Sequence, residues 1–340
     1  MKLSMGIVGL PNVGKSTLFK AITKNEVLIA NYPFATIDPN IGIVTVPDER
    51  LDKLNEMSKS AKKIPAIVEF YDIAGLVKGA NAGEGLGNQF LNHIRETNAI
   101  VEVLRCFPSD EIIHIENTVD PIRDMEIINT ELALKDLDTV EKNFKKIDGE
   151  ARSAGSTSSP QAKKDLEMLQ KAKTALEQGK MLFTKEFSGV LENEKIRTLN
   201  LLTAKPQIYL LNGDPDDVSG ELKKKIKDLG ADYVIVNLGK DLNLSDLIKK
   251  SYEILNLISF FTTGEDETRA WTIERGTKAP QAAGVIHTDF ENKFIRAEAV
   301  NWQKFLEADG WAKAKQRGWL RLEGKDYVVA DGDVIEIRHG

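Results

Sequence analysis

The chain has 340 residues, of which 41% are hydrophobic and 29% charged, and its formal net charge is −6. The length suggests two or three domains, and the composition is that of an ordinary soluble globular protein. The acidic balance argues against a surface coated with basic residues for indiscriminate nucleic-acid binding. The single cysteine, Cys106, excludes a disulfide framework and a multi-cysteine metal site. Because no apolar run reaches the length of a membrane helix and the start lacks the apolar region of a signal peptide, we expect a cytoplasmic protein without a membrane segment.

The first predicted strand, residues 3–8, runs into a glycine-rich loop of a kind that binds phosphate. Residues 9–16 fit the pattern G-x-x-x-x-G-K-[ST], and a helix is predicted to follow to about residue 23. Glycines let backbone N–H groups turn toward a phosphate, the helix N-terminus adds a favourable dipole, and the lysine can reach the β- and γ-phosphates. The Ser16 hydroxyl can bind Mg²⁺. We expect six consecutive residues to contact the nucleotide: Asn12, Val13, Gly14, Lys15, Ser16 and Thr17.

The first half of the chain alternates between strand and helix. Its apolar strands are nearly continuous, which favours a mostly parallel sheet covered on both faces. The predicted strands after the first are 41–46, 67–71 and 100–104, with a helix at 48–61.

Two further segments stand where a nucleotide-dependent switch needs ligands for Mg²⁺ and the γ-phosphate. Thr36 lies in the loop before the second predicted strand, and its hydroxyl can bind Mg²⁺. Asp72 and Gly75 end the third predicted strand in an Asp-x-x-Gly motif, so that Asp72 can hold a Mg²⁺-bound water and Gly75 can offer its N–H to the γ-phosphate. The sequence therefore predicts a Mg²⁺ site built from Ser16, Thr36 and Asp72.

The residues after this motif bear on hydrolysis. Residues 76–87 are rich in glycine, which is typical of a loop that orders around a γ-phosphate and relaxes after hydrolysis. Leu76 stands where Ras-like enzymes carry a glutamine that orients water, and a leucine cannot polarise water. We therefore expect slow hydrolysis unless another group acts. His114, beyond the fourth predicted strand, is the candidate catalytic residue because a neutral imidazole can position water; a structural role for this loop histidine is the alternative.

From about residue 125 to residue 180 the sequence shows no strand signal. Apolar residues follow a 4-3 spacing over residues 133–147 and again over 162–176, and the small residues at 154–160 suit a hairpin tip. The spacing predicts two antiparallel helices packed as a short coiled coil and inserted into the α/β domain.

The alternating pattern then resumes, with strands at 206–211 and 233–237 and helices at 218–229 and 244–257. A guanine-specific site carries Asn-Lys-x-Asp after such a strand. The corresponding positions here begin with Asn212 and Gly213 and end with Pro215, which offers no side-chain acceptor. Loss of that acceptor argues against strict GTP specificity.

Asn212 and Gly213 are the candidates for contact with the base. A one-residue shift that brings Asp214 or Asp216 to the base is one alternative. A plain turn after the strand is the other.

The last part of the chain predicts a small α+β module. Its predicted strands are 270–273, 294–300, 327–329 and 334–337, around one helix at 302–308. Together these observations predict an α/β P-loop NTPase fold of the G-domain type, with a mostly parallel sheet, an inserted α-helical coiled-coil hairpin and a C-terminal α+β module. The predicted domains are residues 1–120 plus 202–256 for nucleotide binding, 121–201 for the insertion and 257–340 for the module.

With these motifs in place, the chain resembles the YchF/Obg-like ATPase family of translation-factor-class P-loop NTPases over essentially its whole length. The resemblance is carried by residues 9–17, 31–40, 72–87, 105–124 and 270–294. It implies a C-terminal TGS domain with a β-grasp fold, ATP binding in preference to GTP, slow Mg²⁺-dependent hydrolysis, and association with the ribosome or ribosomal RNA. The family pattern at the base site is Asn-x-x-Glu, from which Pro215 departs, whereas Leu76 agrees with the family's hydrophobic residue there.

We therefore predict a monomeric, ATP-binding, slowly hydrolysing, Mg²⁺-dependent switch that associates with ribosomes. A GTPase of the same architecture is one alternative, and a nucleotide-binding regulatory protein with negligible turnover is another. A metabolic kinase would bring an acceptor pocket and an arginine-rich lid, neither of which the sequence indicates clearly.

Overall fold

The computed structural model describes residues 4–24, 41–72, 93–109, 118–153, 160–240 and 243–340. Within these residues the first half of the chain and residues 207–236 build one six-stranded sheet. The strands up to the hairpin are β1 (Ser4–Val8), β2 (Ile41–Thr45), β3 (Lys62–Ile64), β4 (Ile67–Tyr71) and β5 (Ala99–Arg105), followed by β6 (Gln207–Asn212) and β7 (Asp232–Val236). The sheet order is β2-β4-β1-β5-β6-β7, and β3 belongs to a second sheet.

The sheet is mostly parallel, as predicted. Only β2 among these strands runs antiparallel, against β4, and the other neighbouring pairs are parallel. β1, β5 and β6 are buried along their whole length, which is why their sequences are nearly continuous apolar runs. Because the parallel strands end on the same edge, Val8, Arg105, Asn212 and Val236 meet at one crevice.

The helices of this part include those predicted at 15–23, 48–61 and 218–229, each within three residues of its predicted bounds. They are α1 (Lys15–Lys24), α2 (Glu49–Ser58), α3 (Pro121–Ser153), α4 (Pro160–Glu177), the short α5 (Ser188–Leu191) and α6 (Glu194–Thr198), then α7 (Gly220–Asp228) and α8 (Ser245–Ile254). Asp48 caps α2 by accepting a hydrogen bond from the Arg50 N–H, and Ser219 caps α7 in the same way from Leu222. None of the helices in the described ranges combines the length and apolar character needed to cross a membrane.

The predicted helical hairpin is confirmed, apart from its tip. Helix α3 is 33 residues long and packs against α4 along the predicted seam, where Ala133, Val140, Leu169 and Leu176 are buried. The hairpin is an insertion because β5 and β6, on either side of it, pair directly with each other. Its tip, residues 154–159, lies outside the described residues.

The C-terminal part forms most of the second sheet. Its strands are β8 (Leu257–Thr263), β9 (Glu267–Glu274), β10 (Phe294–Asn301), β11 (Arg321–Glu323) and β12 (Asp333–His339), and its helices are α9 (Ala279–Ile286), α10 (Thr288–Asn292), α11 (Trp302–Ala308) and α12 (Trp311–Gln316). The sheet order is β11-β10-β12-β8-β9-β3. Strand β3, from far earlier in the chain, completes this sheet by pairing in parallel with β9.

Three expectations for this region were wrong. The helix predicted to reach residue 257 ends at Ile254, because the apolar run that follows forms β8 at the centre of the sheet. The strand expected at 327–329 is a single bridge between Lys278 and Val328. More helices accompany the sheet than the one predicted, since α9, α10 and α12 were not recognised.

The two sheets share a hydrophobic core. One cluster contains Met5 and Phe70 of the first sheet, Leu54 of α2, Phe261 of β8 and Phe305 of α11, all buried. Helix α2 therefore lies between the sheets, and the second sheet packs on the first sheet through it.

An ion pair reinforces this junction. The Arg50 guanidinium binds Asp48 and lies 2.9 Å from Asp331 Oδ2, which belongs to the turn before β12. The same guanidinium lies over the Phe261 ring, 5.2 Å from its centroid. Asp331 in turn accepts a hydrogen bond from the Ser259 N–H through its other oxygen.

Candidate functional site

The phosphate loop connects β1 to α1 and needs glycine at both ends. Gly9 and Gly14 have φ angles of +153° and +112°, which favour glycine. A Cβ at Gly9 would lie 2.6 Å from the Val103 carbonyl oxygen, and one at Gly14 would lie 2.5 Å from the Asn212 side-chain nitrogen. The loop is therefore packed tightly against β5 and β6, and its backbone shape is set before any ligand arrives.

Lys15 opens α1 and is held over its own loop. Its Nζ donates a hydrogen bond to the Leu10 carbonyl oxygen at 2.6 Å. Burial lowers the pKa of Lys15 to about 8, and the nearby Asp72 carboxylate partly offsets this effect. A phosphate would offer the ammonium group a charged partner in place of the carbonyl.

Asp72, at the end of β4, has the character of a metal-site ligand. Its side chain is buried, and Oδ1 has no hydrogen-bond partner in the described part of the chain. A buried carboxylate oxygen without a donor is costly unless a cation or a cation-bound water satisfies it. Together with the Ser16 hydroxyl at the start of α1, this oxygen suits the oxygen ligands that Mg²⁺ prefers. Thr36, the third predicted Mg²⁺ ligand, lies outside the described residues, as do Gly75 and the candidate catalytic His114.

Asn212 ties three segments together at the end of β6. Its side-chain nitrogen donates to the Val13 carbonyl oxygen at 2.9 Å, and its oxygen accepts from the Leu238 N–H at 3.1 Å. Gly213 follows it where a Cβ would lie 3.1 Å from the Cys106 Cβ and 3.2 Å from the Phe107 nitrogen. Asn212 thus joins the phosphate loop to the turn after β7, while Gly213 allows the turn after β5 to come close.

These turns enclose a cavity of about 800 Å³ next to the phosphate loop. The predicted residues Asn12, Gly14, Lys15, Ser16, Thr17 and Asn212 line it, and Val13 is buried behind it through its carbonyl. The remaining lining comes from two turns, residues 107–109 after β5 and 237–240 after β7, and from Asp214 and Asp217.

Asp214 faces this cavity already paired. Its Oδ2 lies 2.6 Å from Lys240 Nζ, and its Oδ1 accepts from the Asn237 side chain at 2.9 Å. The hydrogen bond from Lys240, followed by that from Asn237, lowers the pKa of Asp214. Asp214 and Asp216 are the two carboxylates considered for a shifted base contact. Asp214 lines the cavity, and Asp216 is absent from its lining.

The sequence did not identify Phe107, Asn237 or Lys240 as site residues. Phe107 follows β5, whereas Asn237 and Lys240 follow β7, and none of the three belongs to a spaced motif. The available signal was their position, since each comes within four residues of the carboxyl end of a parallel strand of the first sheet.

Two family models match separate parts of the chain. The family model MMR_HSR1, described as a 50S ribosome-binding GTPase, matches residues 4–142. The model YchF-GTPase_C, described as a protein of unknown function (DUF933), matches residues 257–340.

Relatives match over almost the whole chain. The "Ribosome-binding ATPase YchF" of Bacillus subtilis is 46% identical and that of Escherichia coli O157:H7 is 45% identical, with 99% and 98% of both chains covered. The solved structure of the Schizosaccharomyces pombe YchF GTPase matches with a TM-score of 0.90 at 41% identity, over 99% of this chain and 98% of the other. The chain therefore belongs to the YchF family.

Proposed function

We propose that this protein binds ATP with Mg²⁺, hydrolyses it slowly, and uses the nucleotide state to control its association with the ribosome. The observation that carries the proposal is the cavity beside the glycine-bounded phosphate loop, into which Lys15 and the start of α1 face. Lys15 would bind the β- and γ-phosphates, and the N–H groups of the loop would bind the phosphate oxygens. Residues 13–17 would hold the triphosphate in register with the rest of the site.

Ser16 and Asp72, with Thr36 beyond the described residues, would hold Mg²⁺. When bound, the ion would neutralise charge on the phosphates. Gly75 would donate its N–H to the γ-phosphate. Leu76 leaves no polar group at the water-orienting position, so we assign that task to His114 as a proposal; unchanged single-turnover hydrolysis in His114→Ala would exclude it.

The choice of ATP over GTP rests on the absence of an acceptor at Pro215 and on the pairing of Asp214, whose oxygens already accept from Asn237 and Lys240. Guanine would need a free carboxylate for its ring N–H groups. GTP remains the second candidate because the Schizosaccharomyces pombe relative is named a GTPase.

A competition titration decides between the two nucleotides. ATP and GTP displace a bound fluorescent ATP analogue in the presence of Mg²⁺, and phosphate release is followed with each. We expect ATP to bind at least as tightly as GTP and to be hydrolysed over minutes to hours. GTP binding tighter by tenfold or more would replace the ATPase by a GTPase, and stoichiometric binding without phosphate release would favour a regulatory protein.

The ribosome is proposed as the partner because the bacterial relatives are named ribosome-binding. We further propose a monomeric cytoplasmic protein whose nucleotide-binding domain, residues 1–120 plus 202–256, carries the helical insertion 121–201 and a TGS domain at 257–340. Failure to co-sediment with ribosomes in every nucleotide state at low salt would remove this part of the proposal.

A further inference from the structure

The turn that follows β5 forms one wall of the nucleotide cavity. Phe107, Pro108 and Ser109 all line the cavity, as do residues 237–240 after β7. The turn reaches this place beside Gly213, the second residue of the base-site segment, whose Cβ position lies 3.2 Å from the Phe107 nitrogen. The wall thus adjoins the segment that we expect to contact the base, whereas we expect the loop from Gly9 to Ser16 to contact the triphosphate.

Arg105, the last residue of β5, holds this wall from behind. Its side chain is fully buried and is the largest of the fully buried side chains in the described residues. The guanidinium donates from Nε to the Phe107 carbonyl oxygen at 3.2 Å and from Nη2 to the Ser109 carbonyl oxygen at 3.1 Å. Its carbon Cζ lies 4.7 Å from the centroid of the Phe107 ring.

An arginine suits this task better than other cations. Its planar fork can donate to two carbonyl oxygens at once while a face stacks on an aromatic ring. A lysine is a point charge and cannot hold both carbonyls and the ring in one geometry. Burying a guanidinium costs free energy that hydrogen bonds help to offset, and these two hydrogen bonds tie the turn to the end of β5.

The base of the helical hairpin packs on the other side of the same turn. Cys106 and Leu104 share a hydrophobic cluster with Met125 and Ile122 in the first turns of α3. The wall is therefore fixed between the hairpin and the cavity, with Arg105 at its centre.

We propose that Arg105 is a positioning residue for nucleotide binding, which sets the wall formed by Phe107, Pro108 and Ser109 against the base and leaves the triphosphate contacts to the phosphate loop. This inference rests on the proposed function, because it assigns the wall to the base of a bound ATP.

The test compares ligands with and without a base. Affinities for ATP and for inorganic tripolyphosphate are measured by calorimetry with Mg²⁺ on the full chain and on Arg105→Lys. We expect Arg105→Lys to weaken ATP binding tenfold or more and tripolyphosphate binding less than twofold. In steady state we expect KM for ATP to rise by a similar factor while kcat at saturating ATP stays within twofold.

Arg95→Lys is the matched control. Arg95 is also largely buried and also donates to a backbone carbonyl, that of Leu199, but it faces the hairpin and not the cavity. If Arg105→Lys does not fold, Arg105→Gln replaces it, since a neutral amide needs no buried counter-charge.

Three results would overturn the inference: equal weakening of ATP and tripolyphosphate, ATP affinity within twofold of the unmodified chain, or the same ATP-selective loss in Arg95→Lys. Failure of the proposed function itself looks different, because the unmodified chain would then fail to bind or hydrolyse ATP before any variant is compared.

Discussion

At the scale of single residues, the protonation of Lys15 should make nucleotide binding depend on pH. Its pKa of about 8 means that the nucleotide-free protein loses the Lys15 proton as the pH rises through that value. A bound triphosphate favours the charged ammonium, so binding should take up a proton where Lys15 is otherwise neutral. We expect ATP affinity to fall as the pH rises from 8 to 10, and calorimetry at pH 8.5 in two buffers of different ionisation enthalpy to give an uptake of roughly half a proton or more per ATP.

A second lysine in the same cavity provides the control. The hydrogen bond from Lys240 to Asp214 raises the Lys240 pKa, so Lys240 stays charged over this range. Lys240→Met should retain the proton uptake. Lys15→Arg should abolish it, because arginine stays protonated. Equal ATP affinity at pH 7 and pH 9.5 in the unmodified chain would contradict the assignment.

A substitution of Asp72 should weaken Mg²⁺ binding without lowering the free energy of unfolding. Replacing the buried carboxylate by an amide in Asp72→Asn removes a charge that is costly to bury, and should leave the free energy of unfolding of the nucleotide-free protein unchanged or raised. The same change removes the negative charge of the proposed Mg²⁺ ligand or water-holder, and we expect the Mg²⁺ concentration for half-maximal hydrolysis to rise about 10–100-fold. A Mg²⁺ titration of phosphate release and a urea melt measure the two effects.

Glu69→Gln is the matched variant for this test. Glu69 is a buried carboxylate in β4 that accepts a hydrogen bond from the Tyr71 hydroxyl at 2.9 Å. Its replacement should not change the Mg²⁺ requirement. If Asp72→Asn hydrolyses ATP at the original Mg²⁺ concentration, Asp72 is not part of the metal site.

The residues of the site differ in how far sequence could reveal them. The phosphate loop is contiguous, and glycine at positions 9 and 14 follows from backbone angles that a local motif encodes. Phe107 and Lys240 come from separate turns and meet only because β5, β6 and β7 are adjacent and parallel. Such a wall depends on strand order, which no short spacing in the sequence records.

At the scale of elements, Asp136 anchors the hairpin. This fully buried carboxylate of α3 accepts from the Leu202 N–H at 3.0 Å and from the Thr203 N–H and hydroxyl at 2.7 Å each, and it pairs with Arg95 at 3.3 Å. Asp136→Ala would leave the buried donors of Leu202 and Thr203 without this acceptor. We expect the free energy of unfolding in urea, followed by circular dichroism, to fall by about 3–5 kcal/mol.

A surface residue of the same helix is the comparison. Glu141 pairs with Lys173 of α4 at 2.9 Å, but both side chains are partly in solvent. Exposed ion pairs add little to stability, so Glu141→Ala should destabilise the protein far less than Asp136→Ala. Similar losses in the two variants would mean that Asp136 is not a special anchor.

The elements that sequence predicted best are those with a long, regular period. The apolar seam of α3 and α4 repeats over many residues, and the hairpin followed from it. Strand β3 has three residues, two of them exposed lysines, and it exists because β9 offers it a partner. Strand β8 was hidden because its apolar residues directly continue the pattern of α8.

At the scale of the whole molecule, the shared core predicts that the two sheets unfold together. Phe305 of α11 is 1% exposed, belongs to the cluster that includes Met5 and Leu54, and packs edge-on against the Trp311 ring. Phe305→Ala should cost about 3–5 kcal/mol. If the core is continuous, this loss lowers the urea midpoint of the first sheet as well as that of the second.

The chain carries an intrinsic probe of unfolding for each of the two sheets. All four tryptophans lie between residues 271 and 319, so tryptophan fluorescence follows the second sheet. The single cysteine, Cys106, follows β5 of the first sheet; burial, with the nearby carboxylates of Asp217 and Asp124, raises the pKa of its thiol to about 12. The folded thiol is therefore unreactive near pH 8, whereas an unfolded one, with a pKa of about 8.5, reacts with a disulfide reagent.

We expect fluorescence and thiol labelling to give the same urea midpoint, and Phe305→Ala to lower both midpoints equally, because cooperative unfolding makes all probes coincide. Leu322→Ala is the control: this leucine of β11 is 64% exposed, and its loss should move neither midpoint. A Phe305→Ala protein in which fluorescence shifts while thiol labelling does not would mean that the second sheet unfolds on its own. In that case the contacts of α2, including Arg50 with Asp331, would join two separately stable bodies.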